Sequence, residues 1–297
     1  MKEKLTSLAD AVRRIPSGST IAMGGNLLRR QPNAFIREII RQGIGDLTLY
    51  TFASSTPVDM LAAAGALKRV EGIYFGFFGL GMAPNFRRAA EQGRIDVRDF
   101  PESGMVVRLR AAGAGLSFHP LKTTLGTDMA RLNPDQVREI VCPFTGETYH
   151  ALPAARADFT IMHGYVGDKY GNIQIPVVRD SDDIDQLMAK AGRKVIASVE
   201  RIVPHEQIRA NPTLTLIPHV WVDAIVEAPY GAHPCACDGF YDEDVEHLEM
   251  YLEAARDEQA FDTYLDRYVR EPASHEAYLE CVGGLKRLEK LCVGEVV

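Results

Sequence analysis

The chain has 297 residues, 46% of them hydrophobic, with 40 acidic against 33 basic side chains and a formal net charge of −7. That length and apolar content supply one large core or two modest ones. Basic residues occur as local pairs such as Arg29-Arg30 and Arg87-Arg88, never as a block, which argues against a nucleic-acid surface, whose phosphates call for clustered Lys and Arg.

Short β-rich apolar runs alternate with segments of helical period. The runs are Thr20–Met23, Leu47–Phe52, Gly72–Phe75, Phe159–Met162, Lys194–Val199 and Val220–Val226. Continuous apolar runs of this kind mean strands covered on both faces. Between them, Asn33–Arg41 places Phe35, Ile36, Ile39 and Ile40 at helical spacing before Gly43, and Asp182–Ala191 reads as a second helix ending before Gly192. From Asp242 to Lys290 the chain becomes charged and rich in Leu, Tyr, Glu and Arg, with helices broken near Asp257 and at Pro272. That stretch is either a helical layer of the same fold or a surface that docks onto a partner. The pattern predicts an α/β fold, an open mostly parallel sheet flanked by helices with a helical C-terminal layer. No repeat or linker marks a boundary, so residues 1–297 are expected to form a single domain, with 242–297 as its helical elaboration.

No window approaches 18 uninterrupted apolar residues, and Met1-Lys2-Glu3-Lys4 leads into a helical pattern rather than a signal region, so no membrane association is expected. Five cysteines at irregular spacings fit reduced thiols, and a cytoplasmic location, better than a disulfide framework. His233, Cys235 and Cys237 offer soft ligands, but Cys-x-Cys without a second ligand cluster is poor zinc spacing. The acidic run Asp180–Asp185 lacks the glycine and terminal glutamate of a calcium loop and reads as a helix start with capping acids. No permanently bound metal or cofactor is expected.

In Thr20–Ala34 a buried strand ends in Gly24-Gly25 and a helix begins near Pro32. Glycines there let backbone amides approach a ligand at the carboxyl end of a strand, or simply make a structural turn. The run Ser17-Gly18, Gly24-Gly25-Asn26, Arg30 and Pro32 resembles the alpha signature of family I CoA transferases. Asn26 stands where that signature carries an aromatic residue and Arg30 where it carries glycine; arginine at that place is a feature of the glutaconate CoA-transferase A subunits. About 200 residues further on, Ala228-Pro-Tyr-Gly-Ala-His-Pro234, continuing through Gly239–Asp242, is closely similar to the corresponding stretch of the same subunits. The resemblance extends from Leu5 to about Tyr278.

The resemblance implies an alpha subunit of a cytoplasmic hetero-oligomer of the (αβ)n type, with acyl-CoA and a carboxylic acid as substrates. CoA transfer between acids needs a carboxylate nucleophile that carries CoA as a thioester, and backbone amides that stabilise the oxyanion. In the family that glutamate belongs to the beta chain, so a beta-type partner is implied. This chain is then expected to supply Gly24, Gly25, Asn26, Ser54, Ser55 and Gly79 as walls of the acyl-CoA site, with Arg30 holding a second carboxylate. In the second motif, Tyr230, Gly231 and His233 form a loop that either presents its rings to substrate or is fixed by a hydrogen bond from His233. A related branch, the steroid-ring-opening CoA-dependent hydrolases, uses a glutamate of its A chain near Pro101-Glu102-Ser103-Gly104. The resemblance places that glutamate on Ser103, one position after Glu102. Glu102 is therefore the catalytic candidate of this chain, its alternative being an acid that stabilises a helix N-terminus ahead of Val106–Ala112.

Overall fold

A computed structural model describes residues 1–175 and 182–293. Seven parallel strands form the centre of the sheet in the spatial order Asp96–Asp99, Leu67–Gly72, Leu47–Thr51, Thr20–Met23, Ala157–Gly167, Gly192–Ile202 and Ala224–Glu227. Two short antiparallel strands, Ile173–Gln174 and Thr215–Ile217, extend it beside the end of Ala157–Gly167. The register sets Ile21 against Leu49 on one side and Phe159 on the other, and Ile161 against Ile196. Because side chains alternate across a strand, Ile21 and Met23 enter one hydrophobic layer and Ala22 the other.

On the first face lies the Asn33–Arg41 helix, which buries Ala34, Phe35, Ile36 and Ile39. The Thr56–Ala63 helix joins it there, burying Val58, Met60, Leu61 and Ala62. On the second face, Met105 and Leu109 of the Glu102–Gly113 helix and Ile184 and Met188 of the Asp182–Ala191 helix pack against Ala22, Phe52 and Ala53. The C-terminal helices Val245–Ala254, Glu258–Leu265, His275–Cys281 and Gly284–Leu288 join the first layer. Their aromatic rings interlock, with Tyr251 set 4.9 Å from Phe261 and 5.1 Å from Tyr264 between centroids. This layer packs its buried apolar residues onto the chain's own sheet, while Val245, Met250 and Leu285 stay exposed. Among the described residues, no helix is long and apolar enough to cross a membrane.

Several elements differ from the sequence reading. The Gly72–Phe75 run contributes only a two-residue strand, Tyr74–Phe75, and the sheet strand is the preceding Leu67–Gly72, whose Lys68, Arg69 and Glu71 disguise it. Of the Val220–Val226 run only the part from Ala224 on is strand, continuing to Glu227, because His219–Trp221 forms a 3₁₀ turn. Wholly unforeseen is a three-stranded antiparallel sheet of Phe118–Leu121, Thr148–Pro153 and Arg138–Val141. Its outer strands Phe118–Leu121 and Arg138–Val141 are largely exposed and carry no buried period, and only His150 and Leu152 of Thr148–Pro153 are buried. The helical runs Asn33–Arg41 and Asp182–Ala191 match the reading, while Asp180 and Ser181 of the acidic run lie outside the described residues.

One buried carboxylate ties the C-terminal layer to the sheet helices. Asp59 accepts hydrogen bonds from Asn85 Nδ2 (2.8 Å), the Phe86 amide (2.9 Å) and Tyr251 Oη (2.9 Å). Burial pushes its pKa up to about 6, and the three donors limit the rise. A folded-state value raised above the unfolded one gives stability that is present below about pH 4 and lost as pH climbs through about 6. The stability difference between Asp59→Asn and the parent protein should therefore move in the variant's favour by about 3 kcal/mol from pH 4 to pH 7. Urea unfolding at both pH values measures it, and a difference that does not change with pH contradicts the assignment.

Candidate active site at the carboxyl edge of the sheet

Every candidate motif falls at the carboxyl end of a parallel strand, the edge at which open α/β sheets bind ligands. Thr20–Met23 runs into Gly24-Gly25, Leu47–Thr51 into Ser54-Ser55, Leu67–Gly72 into the Gly79 loop, Asp96–Asp99 into Glu102, and Ala224–Glu227 into Tyr230–His233.

The Gly-Gly turn is built from inside. Gly25 has φ +84°, and a Cβ there would sit 2.6 Å from the Arg30 carbonyl oxygen, while a Cβ on Gly24 would sit 2.6 Å from Asp185 Oδ1. Close approach rather than flexibility therefore demands both glycines. The amides expected to face a ligand are engaged within the chain: Gly24 N–H donates to Ile161 O (2.9 Å), Gly25 N–H to Asp185 Oδ1 (2.9 Å) and Asn26 N–H to Arg29 O (2.9 Å). Of the two readings of this turn, the structure supports the structural one.

Arg30 is turned into the same interior. Its backbone is left-handed, at φ 53°, which turns the side chain inward, and only 3% of the residue is exposed. The guanidinium pairs with Asp185 and lies 3.8 Å from Asp238 through Nε. It is engaged by carboxylates of its own chain. Ser54 and Ser55 are also fully buried. Ser54 Oγ accepts from the Val58 amide at 3.3 Å, and Ser55 Oγ donates to Leu27 O at 2.7 Å, so their hydroxyls brace loops rather than form a rim. Asn26 stays half-exposed.

The two sequence landmarks meet directly. The Ala34 amide donates to Gly231 O (2.9 Å), Asn33 Nδ2 to Ala232 O (2.8 Å) and the Arg30 amide to Ala236 O (2.8 Å). Beneath the junction, Cys235 Sγ lies 3.4 Å from Thr56 Oγ1 and 3.6 Å from Ser55 Oγ. His233 is wholly buried, with Nδ1 2.7 Å from Tyr278 Oη and Nε2 3.0 Å from Asp244 Oδ2. Burial lowers its pKa, against the opposing pull of Asp244. The neutral ring thus donates to Asp244 and accepts from Tyr278, so His233 fixes the loop. Burial likewise pushes Asp244 up, but His233, Arg287 and the His247 amide more than offset it, and its carboxyl is held well below the usual range.

Tyr230 is half-buried with φ 55°, and its amide donates to Glu200 Oε2 at 2.6 Å. A Cβ on Gly231 would lie 2.5 Å from the His163 ring. That contact belongs to a buried network the motifs did not announce: His163 bonds Ser198 Oγ (2.8 Å) and Glu200 Oε1 (2.5 Å), and Tyr241 Oη donates to Glu200 Oε1 (2.7 Å). His163, Glu200 and the buried Cys237 bring ligand atoms within 4.8 Å of one another. Both ring nitrogens of His163 and both oxygens of Glu200 already have partners within the chain, so the group reads as a closed hydrogen-bond network. The signal for His163 and Glu200 was in the sequence: each is a polar residue directly after the apolar runs Phe159–Met162 and Lys194–Val199.

Gly79 is exposed in a 3₁₀ turn, Phe78–Leu80, and a Cβ there would meet open space. Phe78 beside it is 71% exposed. Glu102 is exposed at the first turn of the Glu102–Gly113 helix and lines a cleft of about 540 Å³ with Ile73, Asp99, Thr123 and Thr127. Burial raises the pKa of the neighbouring Asp99.

An open parallel sheet whose carboxyl edge carries a Gly-Gly turn locked to a Pro-Tyr-Gly-Ala-His-Pro loop defines the class of protein. Residues 5–228 match the coenzyme A transferase family, and the chain belongs to that family. The glutaconate CoA-transferase A subunit of Acidaminococcus fermentans is 31% identical over 95% of this chain and 93% of its own length. The crystal structure of that enzyme superposes with a TM-score of 0.92 over 98% of this chain and 96% of the matched chain. A cholesterol ring-cleaving hydrolase IpdA subunit of Rhodococcus jostii is 34% identical over 90% of this chain and 92% of its own. The crystal structure of a variant of the decarboxylase AibA/AibB is 36% identical, with a TM-score of 0.78 over 90% of this chain and 100% of that one. An uncharacterized protein of Archaeoglobus fulgidus is 37% identical over 98% of this chain, which spans 65% of that relative's length.

The Asp185–Arg30 pair carries the clearest energetic consequence. Removing one partner of a buried pair costs up to about 3–5 kcal/mol, and here Asp238, 3.8 Å from Arg30 Nε, offsets part of the charge left behind. Asp185→Asn should lower unfolding stability by up to that amount, and a further change of Arg30→Met should restore most of it. A loss under about 1 kcal/mol in the single variant would show that the pair does not hold the turn.

Proposed function

We propose that this chain is the A subunit of a heteromeric CoA transferase that moves CoA between carboxylic acids through a glutamyl-CoA thioester on a B-type partner. The observation that carries the reading is the state of the carboxylates around the Gly-Gly turn. Asp185 serves Gly25 and Arg30; Glu200 serves His163, Tyr230 and Tyr241; Asp238 serves Arg29 and Tyr165; Asp244 serves His233 and Arg287. A nucleophilic carboxylate must reach a thioester carbonyl, and each of these is tied to donors of its own chain. This reading takes the nucleophile from the partner chain, and this chain supplies shaped walls. The partner carboxylate attacks the acyl-CoA carbonyl and expels CoA thiolate. The thiolate then attacks the acyl-glutamyl anhydride, which releases the first acid and leaves CoA on the glutamate. The second acid takes the CoA by the reverse steps. Likeness to the A subunits of glutaconate and 3-oxoadipate CoA-transferases supports this assignment.

A second reading rests on Glu102, a carboxylate exposed in a cleft on the same edge. It makes the chain the A subunit of a CoA-thioester-dependent carbon–carbon hydrolase, with Glu102 as acid or base, and the likeness to the ring-cleaving hydrolase supports it as a related branch. No enzyme-bound thioester forms in that reaction. Borohydride trapping in the presence of acyl-CoA, followed by intact mass of both subunits, separates the two. The transferase reading expects a reduced glutamate on the partner and an unmodified A chain, and full turnover with neither chain modified would reject it in favour of Glu102.

A further inference from the structure

The amino edge of the sheet, opposite the edge that bears the Gly-Gly turn, gathers positive charge from two distant places in the sequence. Arg14 follows the Leu8–Val12 helix, and Arg193 and Lys194 open the Gly192–Ile202 strand. All three are exposed and line one cleft of about 480 Å³ together with Pro16, Ser17 and Ser19. Among the described residues, none of the three forms an ion pair or a side-chain hydrogen bond. Lys194 Nζ stands 5.6 Å from the centroid of the Phe159 ring.

The acids nearby are already engaged. Asp158, the carboxylate that lines the cleft, accepts the Thr20 amide at 3.0 Å, and Asp10 is taken by Ser7 and Arg13. The cleft therefore sets three cations against one carboxylate, in a chain whose net charge is −7. Like charges around one concavity repel each other, and an anion placed between them relieves that repulsion. A hydroxyl is also on offer. Ser17 Oγ accepts the Gly45 amide at 3.1 Å, which leaves its own hydrogen for a ligand, whereas Ser19 Oγ donates to Pro16 O at 2.6 Å.

We propose that this amino-edge cleft binds a small phosphorylated anion. Arginine meets phosphoryl oxygens with a fork of paired N–H donors, lysine meets them as a point charge, and this cleft presents both kinds of cation. The charge count favours phosphate over a single carboxylate. A monocarboxylate would neutralise one of the three cations, whereas a phosphoryl or pyrophosphoryl group carries the further charge that the others call for. The proposal is independent of which reaction the carboxyl edge performs. The same chemistry belongs to free pyrophosphate and to the nucleotide phosphates of CoA, and competition between them separates the two sources.

The test is isothermal titration of pyrophosphate into the full chain purified with its B-type partner, at fixed ionic strength because salt screens such contacts. The parent complex should take up one pyrophosphate per copy of this chain with a Kd below about 1 mM. Arg193→Ser combined with Lys194→Ser should weaken binding at least about tenfold, the scale of a lost charge-assisted contact, and Arg14→Ser should weaken it in the same direction. Arg256→Ser, which removes an exposed arginine paired with Glu253 in the C-terminal layer, should leave the Kd unchanged. Absence of saturable uptake in the parent, or a Kd unmoved by the cleft variants, overturns the proposal. An equal loss in Arg256→Ser also overturns it, because the attraction would then be diffuse. Repeating the titration at saturating CoA identifies the source. Uptake that persists assigns free phosphate, and displacement by CoA that itself binds more weakly to the cleft variants assigns the nucleotide phosphates. Displacement by CoA whose affinity ignores those variants places the pyrophosphate elsewhere and overturns the proposal.

Discussion

The Asp185 carboxylate is the contact on which the carboxyl edge depends. It receives the Gly25 amide at 2.9 Å and the Arg30 guanidinium, and so ties the turn after the Thr20–Met23 strand to the Asp182–Ala191 helix, far away in sequence. Glycine at position 24 is required because any Cβ would strike that carboxylate. Arg30 in turn approaches Asp238 and Tyr165, which brings in the loop that follows Pro234. A charge pair taken out of water is held only where hydrogen bonds satisfy both members, and here the backbone supplies part of that satisfaction.

The same logic repeats across the edge. His233 with Asp244, and His163 with Glu200, each set a ring against a buried carboxylate and a hydroxyl. These networks fix the Tyr230–Pro234 loop from two directions, through the Tyr230 amide and through the C-terminal helices. The result is a rigid wall whose acids have no freedom to act as nucleophiles. Rigidity of this kind suits a protein whose contribution is shape and whose chemistry arrives on another chain.

Much of the fold was legible in the sequence because parallel strands buried on both faces must be continuously apolar, as in Thr20–Met23 and Phe159–Met162. The antiparallel excursion between Phe118 and Pro153 was not, since two of its strands are open to solvent and the third buries only alternate residues, so none carries such a run. At the site, the linear motifs name loops that the fold brings together, but they do not give the direction of the side chains. Arg30 and Ser55 look like ligand-facing residues in a linear motif; the positive φ of Arg30 and the Leu27 carbonyl above Ser55 turn them inward. Conversely, Arg201 lies near the end of the Gly192–Ile202 strand with no motif around it, and only the folded sheet reveals that it lines a cleft.

The division of labour between two chains is the central claim, and turnover by the separated subunits tests it most directly. CoA exchange between an acyl-CoA and a free carboxylic acid would be followed with this chain alone, with its B-type partner alone, and with the two recombined. The account predicts exchange only on recombination. Sustained exchange by this chain alone would place a nucleophile within it and contradict the account.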